Sequence, residues 1–148
     1  MPGTDLVLPR GGRVRASAAY HRSDDVADRA WGLYMDPHWA PTWPARMLPW
    51  ENMALPVDFD EAVDAIHEAY TIIRDGGMVE VGCQGGIGRT GVVLACWAIL
   101  DGIAATDAVQ WVRDAYIVRA VETPIQEWWV VWFGAQWAGT TPPPRPTR

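Results

Sequence analysis

The chain has 148 residues, a length that suits one domain with a core of its own. All 12 basic residues are arginine and they stand against 18 acidic residues, so the formal net charge is −6. This balance argues against a general affinity for nucleic acid or acidic membrane surfaces. No apolar run is long enough to span a bilayer and no secretory signal is recognised, so we expect a cytoplasmic protein.

The N-terminal third predicts a β-rich start followed by irregular chain. Two short strands are expected at residues 6–8 and 13–16, separated by a turn that contains proline and glycine. From residue 31 to 56 the chain is rich in tryptophan and proline, and one strand is predicted there, at about residues 46–48. Long loops of this kind are often functional lids.

A helix, a strand and a second helix are predicted in the middle of the chain. The first helix is expected to begin after Asp58 as its N-cap and to end at the glycine pair 76–77, because apolar residues recur between them at helical spacing. A strand at 78–81 leads to Cys83. The second helix, from Arg89 to about residue 100, is apolar nearly all round, which predicts a central position. We therefore expect an α/β unit.

Two further helices are predicted after Gly102. Thr106 is expected to cap the third, which runs to about Tyr116. Thr123 and Gln126, with a proline between them at the first helical position, fit a capping box that starts the fourth. Residues 1–138 are expected to form a single domain, and the proline-rich residues 139–148 a disordered tail, with a partner-binding polyproline segment as the alternative.

The loop after the fourth predicted strand has the features of an anion site. It follows a short apolar strand, precedes an apolar helix and contains Gly85, Gly86 and Gly88. Glycine lets the backbone curl tightly enough to point successive N–H groups at one place, where the positive end of the helix also lies. The sequence therefore predicts an anion-binding loop whose floor is Cys83.

Three side chains in this loop suit nucleophilic chemistry on a phosphoryl group. The thiolate of Cys83 is favoured by the helix N-terminus and by Arg89. The guanidinium of Arg89 offers a planar set of donors that matches two phosphoryl oxygens. Thr90 is expected to donate its hydroxyl to the sulfur and so ease its departure. Cys96 is interpreted as a small buried residue of the helix, with a redox partner for Cys83 as the alternative.

The spacing of Cys83, Arg89, Thr90 and Gly91 resembles the signature of the cysteine-dependent protein-tyrosine and dual-specificity phosphatases. The resemblance implies an α/β fold with a small, mostly parallel central sheet flanked by helices. It also implies hydrolysis of phosphomonoesters through a phosphocysteine intermediate, without a metal or cofactor. The phosphate-binding residues it implies are Cys83, Gln84, Gly85, Gly86, Ile87, Gly88 and Arg89.

The general acid of that mechanism is less clearly marked. In the family it lies about thirty residues before the cysteine, in a motif similar to Trp-Pro-Asp-x-Gly-x-Pro, and the segment 50–56 resembles this motif imperfectly. Asn52 stands at the aspartate position and cannot donate a catalytic proton. Glu51, one place earlier, is the preferred acid, since a carboxyl on a mobile loop can still reach the site. Asp58 and Asp36 are the alternatives.

Two further positions bear on activity. Gly82 stands where the family usually has a histidine that orients the loop. Downstream, Arg119, Glu122, Thr123 and Gln126 resemble the family's C-terminal motif, whose glutamine positions the hydrolytic water. The predicted capping box explains Gln126 equally well, and both roles stay open.

The substrate class is the last inference. Phosphoinositide phosphatases of this superfamily often carry basic residues inside the loop, where this chain has Gln84 and Ile87. A multiply phosphorylated inositol is therefore disfavoured. Phosphotyrosine or phosphoserine/threonine of a partner protein, or a small phosphomonoester, is the expected substrate. The alternative function is a catalytically impaired phosphatase-like domain that binds phosphorylated partners.

Overall fold

The computed structural model describes residues 3–19, 29–35 and 41–147. Within these ranges five strands form a single sheet in the order β1-β2-β5-β3-β4. The strands are β1 (Thr4–Val7), β2 (Arg13–Ala18), β3 (Arg29–Tyr34), β4 (Ala45–Met47) and β5 (Met78–Cys83). The helices are α1 (Phe59–Arg74), α2 (Gly88–Leu100), α3 (Ala108–Ala115) and α4 (Pro124–Ala138).

The central strand of the sheet is β5. It pairs in parallel with β2 on one side and with β3 on the other, and β3 pairs in parallel with β4. Only the edge strand β1 runs antiparallel, against β2. Every residue of β5 is buried, as expected where helices cover a parallel sheet. The small, mostly parallel sheet flanked by helices confirms the predicted fold class.

Strand β3 was not predicted, and the expectation of irregular chain from residue 31 is wrong at this point. Its outer end is fixed by a buried ion pair in which Arg29 Nη1 lies 2.8 Å from Glu80 Oε1 on β5. The hydroxyl of Tyr34 also donates to Glu80. Because both contacts are made to Oε1 of a carboxylate that has no solvent exposure, they hold β3 against the central strand.

Helices α1 and α2 agree with the prediction to within one residue at their starts. The side chain of Asp58 accepts a hydrogen bond from the backbone N–H of Glu61 at 3.0 Å, which confirms the predicted cap of α1. Helix α2 starts one residue earlier than predicted, and all of its residues are buried. Its predicted central position is therefore confirmed.

The third helix starts later than predicted and the fourth starts as predicted. Helix α3 begins after Asp107, whose side chain makes no capping hydrogen bond, so the prediction of Thr106 as its cap is wrong. At α4 both halves of the capping box are present: Thr123 accepts from the backbone of Gln126, and the Gln126 side chain accepts from the backbone of Thr123. The capping box therefore determines where α4 begins.

Aromatic side chains join α4 to the segment before α1. Trp129 has no solvent exposure, and its ring centroid lies 5.9 Å from those of both Trp50 and Phe59. Beyond α4, residues 140–147 form neither helix nor strand, but Trp128 Nε1 donates to the carbonyl oxygen of Pro143 at 2.9 Å. The predicted domain boundary and tail disorder stay predictions. In the described ranges, no helix combines the length and apolar character needed to cross a membrane.

Candidate functional site

A cavity of about 330 Å³ opens at the carboxyl end of β5, where the strand passes into α2. This end of a parallel sheet is where α/β proteins commonly bind ligands. The cavity contains the predicted loop together with one residue from the 50–56 segment and one from the chain before α4. Its lining consists of Asn52, Cys83, Gln84, Gly85, Ile87, Gly88, Arg89 and Glu122.

The loop carbonyls are anchored to neighbouring elements. The carbonyl oxygen of Gln84 accepts from the backbone N–H of Ala19 at 3.1 Å, and that of Gly86 accepts from the hydroxyl of Tyr116. In a trans peptide the next N–H points opposite to the carbonyl, so these anchors turn the N–H groups of Gly85 and Ile87 away from them. Because both residues line the cavity, their amides are available to an anion inside it.

Gly86 meets a strict steric requirement in this loop. Its φ angle is 69°, in the left-handed region that side chains disfavour. An ideal Cβ at this position would also lie only 3.0 Å from the carbonyl oxygen of Ser17 and 3.1 Å from the nitrogen of Ala18. The loop therefore packs against the end of β2 only with glycine here.

The nucleophile predicted from the sequence lies on the floor of the cavity. The thiol of Cys83 is buried, and the hydroxyl of Thr90 lies 3.1 Å from its sulfur as a hydrogen-bond donor. The loop places this sulfur just before the N-terminus of α2, which favours negative charge. Cys96 is buried inside α2, and this burial raises the pKa of its thiol, so a reactive thiolate there is disfavoured.

Arg89 connects three parts of the site. Its side chain is buried, and Nη1 donates to the carbonyl oxygens of Met35 at 2.9 Å and Trp50 at 2.7 Å. The end of β3 and the 50–56 segment are thus fastened to the same guanidinium. Its Nε is also buried, and within the described part of the chain it has no hydrogen-bond partner. A buried donor without a partner is unusual in native proteins and indicates a missing acceptor.

Tyr116 belongs to the site, although the sequence analysis named it only as the approximate end of the third helix. Its hydroxyl donates a hydrogen bond to the carbonyl oxygen of Gly86 and so anchors the loop. Burial and, to a lesser extent, the nearby negative charge of Cys83 together raise the pKa of Tyr116 to about 12. A tyrosine on a buried helix face usually finds a partner for its hydroxyl, which was the available signal.

The structure separates the candidate acids. Asn52 lines the cavity that contains Cys83, whereas Glu51 lines an adjoining cavity of about 340 Å³ that shares Asn52, Gln84 and Arg89 with it. Asp58 is occupied as the cap of α1. Asp36 lies outside the described residues. The role of Glu51 as general acid stays a prediction. Glu122, which the sequence analysis named only as part of the C-terminal motif, is a carboxylate in the Cys83 cavity.

Gln126 connects α4 to the 50–56 segment. It is buried, its Oε1 accepts from the backbone N–H of Glu122 at 2.9 Å, and its Nε2 donates to the carbonyl oxygen of Ala54 at 3.2 Å. The first contact belongs to the cap of α4, and the second joins α4 to the 50–56 segment. Gln126 does not line the cavity, and its water-positioning role stays a prediction.

Comparisons with known proteins give two archaeal relatives, and no protein-family model matches the chain. An uncharacterized protein of Methanocaldococcus jannaschii, MJECL20, is 35% identical over 131 residues, covering 80% of this chain and 86% of that protein. A second uncharacterized protein of the same organism, MJ0215, is 41% identical over 90 residues, covering 60% of this chain and 54% of that protein. The chain belongs to the same family as MJECL20.

Solved structures of phosphatases share the fold at low sequence identity. A kinase associated phosphatase with its catalytic cysteine replaced by serine has a TM-score of 0.76 and 17% identity, and the match covers 94% of this chain and 97% of that one. A mutant form of Tk-PTP has a TM-score of 0.71 and 18% identity, with 86% and 92% covered. Human DUSP28 has a TM-score of 0.67 and 15% identity, with 95% and 97% covered. This chain therefore has the fold of the protein-tyrosine and dual-specificity phosphatases.

Proposed function

We propose that this protein is a cysteine-based phosphatase that hydrolyses phosphomonoesters through a phosphocysteine intermediate. The observation that carries the proposal is the buried Nε of Arg89, which lacks a partner among the described residues and belongs to a side chain that lines the cavity of Cys83. A phosphoryl oxygen supplies the missing acceptor. The same guanidinium then holds the phosphoryl group in front of the sulfur.

The contacts of the loop support each role in this reaction. The N–H groups of Gly85 and Ile87 face an anion because their neighbouring carbonyls are anchored elsewhere. The sulfur of Cys83 attacks phosphorus, and the S–P bond forms as the P–O bond to the leaving oxygen breaks. The hydroxyl of Thr90, 3.1 Å from the sulfur, stabilises the thiolate when water later displaces it.

The proposed substrates are phosphotyrosine or phosphoserine/threonine of proteins. The variable loop positions are the neutral Gln84 and Ile87, and the chain carries a formal net charge of −6. A substrate with several phosphate groups would meet few cations here and would be repelled by the overall charge. A single phosphomonoester matches Arg89, the one guanidinium that lines the cavity among the described residues.

The test is to trap the intermediate during turnover of a small aryl phosphate. Rapid acid quench with ³²P-labelled substrate is expected to show a labelled enzyme in the wild type and none in Cys83→Ser. Cys96→Ala is the matched control, because Cys96 is buried in α2 and takes no part in the reaction. An inactive wild type that still binds inorganic phosphate through Arg89 would instead support a domain that only binds phosphorylated partners.

A further inference from the structure

Glu122 occupies an unexpected place in the cavity of Cys83. Within the described part of the chain it is the only acidic residue that lines this cavity. Its carboxylate lies against Gly88, the first residue of α2, because an ideal Cβ on Gly88 would be only 2.3 Å from Glu122 Oε1. The absence of a side chain at residue 88 therefore leaves the space that the carboxylate fills.

The Glu122 carboxylate has no structural partner. Among residues 3–19, 29–35 and 41–147 it makes no hydrogen bond and no ion pair, and the residue is exposed to solvent. A negative charge on the wall of a phosphate cavity repels the substrate. With no hydrogen-bond or ion-pair partner among the described residues, the carboxyl group of Glu122 is placed to exchange a proton with a substrate bound in this cavity.

The backbone before Glu122 is strained. Val121 has a φ angle of 62°, in the left-handed region where a β-branched residue is an outlier, and its side chain is buried. Strain of this kind persists only where neighbouring contacts hold it, and such positions cluster at functional sites. Here the strained residue directly precedes the carboxylate that enters the cavity.

Specific hydrogen bonds hold this strained segment in place. Arg113 on α3 donates from Nε to the carbonyl oxygen of Ala120 at 2.9 Å and from Nη2 to that of Val121 at 2.8 Å. On the other side, the backbone N–H of Glu122 donates to Gln126 Oε1 at 2.9 Å. The position of Glu122 relative to the loop is therefore determined from both sides.

We propose that Glu122 donates the proton to the leaving oxygen, the role that the sequence assigned to Glu51. This inference rests on the proposed phosphatase function. As Cys83 Sγ forms its bond to phosphorus, the P–O bond breaks and the carboxyl proton of Glu122 moves to the departing oxygen. In the second step the Glu122 carboxylate takes a proton from water as the water oxygen bonds to phosphorus. The S–P bond then breaks, which restores the thiolate and the carboxylic acid.

One observation favours Glu122 over Glu51. Glu122 shares the cavity of the sulfur, whereas Glu51 lines the neighbouring cavity. The backbone of Glu122 is fixed by hydrogen bonds on both flanks, and a proton donor must be held within reach of the atom it protonates.

The experiment compares two substrates that differ in their need for a proton. Phenyl phosphate has a poor leaving group, phenolate, which must be protonated as it departs. 4-Nitrophenyl phosphate has a good leaving group, 4-nitrophenolate, which departs with little need for a proton. Values of kcat are measured for the wild type, Glu122→Gln, Glu51→Gln and Glu68→Gln. The last is a matched control, because Glu68 is an exposed residue of α1 outside both cavities.

We expect Glu122→Gln to lose about 10²- to 10³-fold in kcat with phenyl phosphate and less than about tenfold with 4-nitrophenyl phosphate. A merely structural role would lower both rates equally, and that result overturns the inference. A loss that depends on the leaving group in Glu51→Gln, with Glu122→Gln unaffected, also overturns it. If the wild type hydrolyses neither substrate, the proposed function itself fails and this inference falls with it.

Discussion

Replacing Arg89 with lysine tests whether one guanidinium both stabilises the fold and binds phosphate. The side chain is 4% exposed, and its Nη1 donates to two carbonyl oxygens, those of Met35 and Trp50. Lysine ends in a single ammonium group and cannot reproduce the planar set of donors. We therefore expect Arg89→Lys to keep one of the two carbonyl contacts and to lose the other.

The magnitude follows from these contacts. A hydrogen bond to a charged group is worth about 1.5–3 kcal/mol, so the free energy of unfolding is expected to fall by that amount. For a chain of this size such a loss corresponds to roughly 3–12 °C in Tm. Ligand binding changes as well: tungstate at about 100 times its Kd should stabilise the wild type by about 2.7 kcal/mol. The stabilisation of Arg89→Lys by the same concentration should be much smaller.

Urea denaturation followed by tryptophan fluorescence, with and without tungstate, measures both effects. Arg46→Lys is the control, because Arg46 pairs with the exposed carboxylates of Asp64 and Glu68 and such surface pairs contribute less than about 1 kcal/mol. The reasoning is refuted if Arg89→Lys unfolds at the wild-type urea concentration. It is equally refuted if tungstate stabilises the variant as much as the wild type.

Three further predictions concern other residues of the site and the core. Thr90→Val removes the hydroxyl that lies 3.1 Å from the sulfur and should slow breakdown of the phosphoenzyme about tenfold. Thr90→Ser keeps the hydroxyl and should not slow this step. Pre-steady-state burst kinetics measure its rate. Burial raises the pKa values of Tyr70 and Tyr116 to about 12. As the pH rises, both hydroxyls therefore lose their protons at a lower pH in the unfolded chain than in the folded protein. The free energy of unfolding should consequently fall between pH 10 and pH 12. Urea midpoints across that range check the direction, and the paired Tyr→Phe variants should flatten the decline. Trp129→Ala should lower the free energy of unfolding by about 3–5 kcal/mol, because the ring is fully buried. Trp137→Ala should lower it by less than about 1 kcal/mol, because Trp137 is 58% exposed. Equal urea midpoints for the two variants would contradict the packing argument.

The elements that local signals determine were predicted well. The cap at Asp58, the capping box at Thr123 and the wholly buried α2 follow from residue types at fixed spacing, and all three are present. Strand β3 has no such signal, because its place depends on a partner strand about fifty residues away. The pairing of Arg29 with Glu80 shows this: neither charged residue indicates a buried strand until the two are brought together.

The site was predicted where it lies within one continuous motif and missed where it does not. The loop from Cys83 to Arg89 could be recognised as a unit, and all of its residues except Gly86 line one cavity. The cavity position of Glu122 could not be found, because it depends on a left-handed conformation at Val121, which a β-branched residue disfavours. The anchoring of Gly86 by Tyr116 depends on how α3 packs and is likewise invisible in the sequence.

Three hydrogen bonds hold the segment after β4 in place, two of them to neighbouring elements and one within the segment. Arg89 holds the carbonyl of Trp50, and both Trp50 Nε1 and Gln126 Nε2 donate to the carbonyl of Ala54. A segment held in this way loses its conformational entropy once, when the chain folds, and not again each time a substrate arrives. The free energy of substrate binding is then available for orienting the phosphoryl group instead of ordering the chain around it.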